Sequence, residues 1–397
     1  MSDDYAGRDL SVLASHLFEG HEIVDWTFAL VPHSIAWCVR DDGALLGLSY
    51  MREHDIRGWS RHDTDGAFES VATLSEGLED KVYTVVKRTV NGEIKRYIER
   101  FESRVFDDVE DAFFVDCGLS IDMTDAPFVI NGIDLTDKVT VSAPGHGLEE
   151  NDHVQLNGIV GEPLTFDEDG ELDPTDENYV IVGPGDNKLV KLDLGSLNGH
   201  SFIVVRKTDG SFDLQNDQGQ DLDGTHFTPY VSGGTGLHTV RTLSGLDHLE
   251  GKTVSILADG HVEPQQTVTS GAITLDRPAQ SVVHVGLPFV SELETLGVNT
   301  TIREGTGQGR RKRIAGVTLR LHRTRGCWVG PADGALTELK MRTDEAWGEP
   351  TALFTGDKDI ALDPKWGRSG RILVRQTDPL PLTILAVIPE VDHGDQN

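Results

Sequence analysis

Between residues 33 and 101 apolar and polar side chains alternate in short runs broken by turn dipeptides, a period of two that puts successive side chains on opposite faces of a strand. Residues 33–39 lead into Asp42-Gly43 and out through residues 44–50. This predicts a hairpin, because an Asp-Gly pair tolerates the left-handed backbone of a tight turn. The pattern repeats at residues 56–61, Asp63-Thr64-Asp65-Gly66 and 68–74, and again at 81–90, Asn91-Gly92 and 93–101. Only residues 11–18 carry helical spacing, with Leu10, Leu13, Ala14 and Leu17 behind a Ser or Asp cap. Strand patterns resume after Leu243 at 253–257 before Asp259-Gly260, at 273–275, 282–287 and 317–321, and at 372–375, which is expected to pair with 382–387. Pro379 and Pro381 confine their segment to a loop or a strand edge. The predicted class is all-β and mainly antiparallel, a propeller-like or β-sandwich platform.

Composition changes inside that pattern. Residues 145–200 hold thirteen acidic side chains against two lysines, and frequent glycines interrupt short apolar runs at 139–141 and 179–182. This reads as a small β-barrel domain with an acidic loop, inserted into a host domain. The expected division is 1–122 for the first part of the platform, 123–242 for the insert and 243–397 for the second part of the platform.

The charge narrows the partners. Of 397 residues, 66 are Asp or Glu and 35 are Lys or Arg, a formal net charge of −31. Such a chain is not attracted over distance to nucleic acid or to an anionic membrane, although DNA can pass it without adhering. No run approaches the roughly 18–20 apolar residues of a membrane span, and membrane insertion is not expected. Cys38, Cys117 and Cys327 lack metal-ligand spacing and read as reduced core thiols.

Candidate chemistry is sparse. The stretch WSRHDTDGAF (59–68) gathers His62, Asp63 and Asp65, the density of a metal site or an acid/base pair. Turn chemistry accounts for the two aspartates and Gly66 without catalysis, and His62 reads as a half-exposed residue at a strand end. Residues 167–177 are acidic enough for calcium but lack its ligand spacing. Gly305-Thr306-Gly307-Gln308-Gly309 resembles a phosphate cradle, yet the alternation at 314–321 predicts a strand where a helix N-terminus would be needed. His146 and His248, each beside a glycine turn, are expected to satisfy local backbone groups. No catalytic residue, metal ligand or cofactor is expected. The basic run is the notable remainder: residues 303–325 carry eight Arg or Lys and one Glu. Arg310, Arg311, Lys312, Arg313, Arg320, Arg323 and Arg325 are candidates for pairing with acidic groups, within the chain or across a subunit interface, or for contact with DNA phosphates.

Longer stretches carry a resemblance. Residues 9–18, PHSIAWCVRDDGALLGLSY, WSRHDTDGAFESVA and RTVNGEIKRYIE, followed by SGLDHLEGKTVSILADG, ITLDRPAQSVVHVGLPF, GQGRRKRI and DPLPLTILAVIPEV, resemble the second half of the tail nozzle proteins of short-tailed phages, also called tail tubular protein B. Within the insert, APGHGLEENDHVQLNGIVG, LNGHSFIVV and FDLQNDQGQDLDGTHFTPYVSGGTG resemble the FCCH domain first named in ubiquitin-activating enzymes; fold alone carries no ubiquitin chemistry. The resemblance implies a structural virion protein of the phage tail, assembled in the host cytoplasm: a ring of copies, a hexamer in similar proteins, that forms the distal DNA conduit. Implied partners are further copies of the chain, tail adaptor and tube proteins, tail fibres or spikes, and duplex DNA in transient passage. Similar proteins have several hundred residues ahead of the matching stretches, so the resemblance implies a split gene, a shortened product, or a partner chain that supplies that half. The alternative is a receptor- or glycan-binding tail module with Trp328, Trp347 or Trp366 stacking on sugars; a tail-associated hydrolase using Asp63 and Asp65 is a third reading.

Overall fold

The computed structural model describes residues 9–122, 126–164, 179–181, 188–298, 301–302, 305–306, 310–342, 350–363 and 365–394. The acidic stretch 167–177, Trp347 and Gly307-Gln308-Gly309 lie outside them. The fold is all-β and antiparallel, and its helical residues are short 3-10 turns such as Val12–Leu17. That turn stands where the helix was expected, and it kinks at Ala14. No strand path among the described residues closes into a barrel or repeats as propeller blades.

The chain divides into two compact units. The first comprises the described residues up to Leu119, Gly245–Ala272 and those from His284 onward. It begins with seven strands: β1 (Ile23–Ala29), β2 (Ile35–Arg40), β3 (Leu45–Met51), β4 (Ile56–His62), β5 (Ala67–Glu76), β6 (Glu79–Val90) and β7 (Glu93–Arg100). They form a sheet in the order β1-β2-β3-β4 and another in the order β5-β6-β7. Ile35, Trp37, Val39 and Leu45 from the first sheet and Phe68, Val71, Val82 and Val86 from the second share one core. The hairpins read at Asp42-Gly43 and Asn91-Gly92 form, but the one read through residues 63–66 does not: β4 pairs with β3 and β5 with β6, so that corner passes the chain from one sheet to the other. Asn91 and Gly92 both take positive φ (49° and 78°), as do Asp259 and Gly260 (49° and 70°), the backbone that a two-residue turn demands.

Gly66 acts through space. A Cβ there would lie 2.6 Å from the Lys87 carbonyl oxygen, so only glycine lets the corner lie against β6.

The later strands of this unit pair otherwise than the sequence suggests. Ile372–Gln376 lies between Ser291–Glu294 and Trp328–Pro331, whereas Ile384–His393 runs beside Lys312–Thr324, whose other edge holds Phe354–Ala361. The expected pairing of 372–375 with 382–387 is therefore corrected. Pro379 and Pro381 sit in the connection, which delivers the chain to a different sheet instead of closing a hairpin.

The second unit takes Ser120–Ser244 together with Ile273–Val283. Its strands follow the order Gly132–Leu135, Val139–Ser142, Ser211–Gln215, Ser201–Val205, His153–Gly161, Tyr230–Leu243 and Ile273–Ala279, with Phe128–Val129 also on Tyr230–Leu243. Relative to the division read from sequence, Ile273–Ala279 joins this unit because Leu243 pairs with Ile273 and Thr242 with Thr274. Phe212, Leu214, Leu156, Val141 and Val154 form its core. Replacing the fully buried Phe212 by Ala is expected to lower the unfolding free energy by about 3–5 kcal/mol. Urea unfolding checks this, and a loss under about 1 kcal/mol would contradict the packing described.

Candidate functional site

The corner at residues 63–66 is where polar chemistry concentrates, and it is fastened from beneath by Arg88 of β6. Alternation along β6 turns Arg88 inward, where it is 2 % exposed. A buried guanidinium is tolerable only if its donors are used. Its Nε and Nη2 donate to the two carboxylate oxygens of Glu99 on β7, at 2.6 and 2.7 Å. Its Nη1 donates to Thr64 Oγ1 at 2.7 Å and to the Asp65 carbonyl at 2.8 Å. Thr64 in turn hydrogen-bonds Asp116, whose carboxyl is pushed up to about 6, first by burial. Asp65 is held from the other side by Lys252 Nζ at 2.6 Å.

The neighbours fit this reading. Cys117, next along the chain, takes a positive φ of 49°, and its carbonyl lies 3.0 Å from His248 Nε2. Burial pushes its thiol up to about 12, so the sulfur stays protonated and is a poor nucleophile at neutral pH. His62 lies 3.0 Å from Ser60 Oγ, and its ring packs on Trp37 with centroids 5.1 Å apart. Burial, aided by the positive charge of Arg104, lowers it to about 4 and leaves it neutral at pH 7. Asp63 faces Arg61 at 3.3 Å. His62, Asp63 and Asp65 each have a partner within the chain: Ser60 and Trp37, Arg61, and Lys252.

His146 likewise satisfies backbone: its Nδ1 accepts from the Leu148 amide at 3.0 Å and its Nε2 lies 2.8 Å from the Thr208 carbonyl. Among the described residues, one group has donor atoms close enough for an ion: His21, Asp41 and Asp42. Asp42 there is engaged by Arg40, which also holds its carboxyl below the usual carboxylate range.

The basic run lies on and beside the strand Lys312–Thr324, and the structure turns much of it toward acceptors of the same chain. Arg313 donates to Asp392 at 2.6 Å and lies over the Trp366 ring, 5.4 Å from its centroid. Arg320 grips Asp357 with two donors, at 2.8 and 2.9 Å. Arg323 donates to the carbonyls of Phe106 and Asp107, and Arg325 to that of Gly260. Lys312 is buried, Arg310 half-buried and Arg311 exposed. Of the candidate tryptophans, Trp366 is 48 % and Trp328 37 % exposed; the Arg313 guanidinium already lies over the Trp366 ring. Sequence reasoning missed Arg88, because an arginine in a strand is ordinarily an outward residue; the signal available was its place among the inward positions Val82, Thr84, Val86 and Val90.

No protein-family model matches the chain, and no curated protein matches its sequence.

Two groups make opposite pH predictions. The Asp116 carboxyl is raised from an ordinary 3.8, so its contribution is complete below about pH 4 and is lost as pH rises through 6. The His62 imidazole is lowered from 6.5, so its contribution is present above pH 6.5 and is lost as pH falls through 4. Asp116→Asn is expected to remove a decline in stability on the order of 2 kcal/mol between pH 4 and 7, leaving stability that rises with pH. His62→Gln is expected to do the reverse. Unfolding midpoints measured across pH 4–7 check both, and parallel curves for all three proteins would contradict the assignment.

Proposed function

We propose that this chain is a structural subunit of a phage tail nozzle, a ring through which duplex DNA passes, and that it has no catalytic role. The ordered resemblance of most of residues 8–122 and 243–391 to that class supports the reading. The observation that carries it is the disposition of charge. The chain has a net charge of −31, and Arg313, Arg320, Arg323 and Arg325 of its basic run are bound to acceptors within the chain. A conduit for DNA must expose little that grips phosphate, because each neutralised phosphate releases counterions and strengthens adhesion. Basic side chains satisfied internally and an acidic excess outside meet that requirement.

The finer architecture belongs to the same proposal. The first unit resembles part of a propeller-like platform, and the second is a small barrel-like module of the FCCH type. Further copies of the chain and tail adaptor and tube proteins are the partners, with hexamers as the assembled form.

Light scattering of the purified chain, alone and with the other tail proteins, tests the reading. A ring of defined mass is expected. A monomer in every mixture would overturn it. A second test uses duplex DNA of random sequence. Little retention is expected even at 50 mM salt, and binding with the steep salt slope of several phosphate contacts would contradict a non-adhesive wall.

A further inference from the structure

An open cleft of about 280 Å³ lies within the second unit, close to the lower end of the roughly 300–1,000 Å³ of ligand pockets. Its floor is strand surface: Gln155 on His153–Gly161 stands opposite Ser201 on Ser201–Val205, with His200 next along the chain. One wall is the turn at Asp217, and the other is the stretch 276–280, led by Asp276.

One side chain holds both walls. Arg241, on Tyr230–Leu243, donates through Nε to the Leu275 carbonyl at 3.1 Å and through Nη2 to the Asp276 carbonyl at 3.4 Å, and its Nη1 lies 3.3 Å from Asp217 Oδ1. The Asp217 turn is also closed locally, because Asn216 Oδ1 accepts from the amides of Gln218 and Gln220, each at 3.0 Å. On the floor, Gln155 Nε2 donates to the Gly199 carbonyl and its Oε1 accepts from Asn157 Nδ2, both at 3.1 Å. Groups fixed in this way meet a ligand without first being ordered, which removes an entropic cost of binding. They also keep capacity. A carboxamide has a second amide hydrogen and a second lone pair, and a carboxylate has a second oxygen. Thr239 stands opposite His153 and so shares the face of Gln155 and Arg241; it is 1 % exposed, and its hydroxyl has no hydrogen-bond partner among the described residues.

The lining selects the class of ligand. It is polar except for Gly199 and Pro278, so an apolar molecule would strip these groups of water and return no hydrogen bonds. Asp217 and Asp276 repel a phosphate or a carboxylate, and the net charge of −31 repels it from farther off. Arg241 and Arg277 beside them disfavour a simple cation. A neutral molecule crowded with hydroxyls satisfies every one of these constraints. We infer that the cleft binds a neutral saccharide, Asp217 and Asp276 accepting from adjacent ring hydroxyls while Gln155, His200 and Ser201 donate from the floor. This goes beyond the nozzle reading and does not rest on ring assembly.

Saturation-transfer difference NMR of the full chain tests it, with glucose, galactose, mannose and N-acetylglucosamine each titrated to about 20 mM, since a site of a few hydrogen bonds holds a single sugar in the millimolar range. At least one of the four is expected to give a saturable signal. Asp276→Ala and His200→Ala remove exposed side chains, so both are expected to keep the wild-type unfolding midpoint, and each is expected to weaken that sugar about tenfold. Trp328→Ala and Trp366→Ala are expected to leave it unchanged. No signal from any of the four sugars, or a signal that both cleft variants leave intact, overturns the inference. Loss of the signal with either tryptophan variant while the cleft variants retain it overturns it in favour of stacking on that ring. Binding of glucuronate without any neutral sugar overturns the neutral class. None of these results touches the ring, whose mass light scattering reads separately.

Discussion

A guanidinium taken out of water must find acceptors for its donors, and in this chain that single demand at Arg88 organises the amino-terminal layer. Glu99 takes two of the donors in parallel and so fixes the β6–β7 pairing side to side; Thr64 and the Asp65 carbonyl take two more and draw the 63–66 corner down onto β6. Gly66 is required by that closeness, since a side chain there would meet the Lys87 carbonyl. Lys252 then reaches Asp65 from a segment far along the chain, which ties the 245–272 stretch of the same unit to the corner. Glu99 alone would be a poorly solvated carboxylate, and Arg88 alone a far worse cation. The pair is stable only as a network in which every member is satisfied.

This network also accounts for so dense a group of titratable residues by structure alone. A catalytic acid or base needs an open face toward a substrate and a partner whose protonation can change. Here Asp116 is raised and Cys117 is raised further, both first by burial. The carboxyl is bonded to Thr64, and the one cation beside it is spent on Glu99. Perturbed titration at this place records the cost of burying a corner, a structural cause that mimics an active site when only sequence is read.

How much of this was legible in the sequence follows the range of the interactions involved. Asp42-Gly43, Asn91-Gly92 and Asp259-Gly260 act through local backbone geometry, and the strands beside them were readable with nearly their observed bounds. β1 was not, because Ile23–Ala29 inverts the expected code: its outward positions Val24, Trp26 and Phe28 are apolar and its inward Asp25 and Thr27 polar, the reverse of a solvated strand. The pairing of Ile372–Gln376 failed for another reason. Nearness in sequence favoured a hairpin with the following strand, while the buried faces of Ile372 and Val374 are satisfied by Val329 and its neighbours, which only the folded chain brings together. For the basic run, sequence could give composition but not direction. Whether Arg320 faces a partner or Asp357 depends on the register between Lys312–Thr324 and Phe354–Ala361, which sets Arg320 opposite Asp357.

That register bears on how an acidic chain can assemble at all. If the arginines of Lys312–Thr324 were free, they would be the obvious contacts for an acidic neighbour and equally for DNA, and a conduit using them would risk binding its cargo. Pairing them at home removes both possibilities at once. In the proposed ring, association that spares the basic run would draw on apolar surface, which has no affinity for a phosphate backbone. A free strand edge bearing tryptophan is hazardous for a solitary protein, since it invites pairing with any exposed strand.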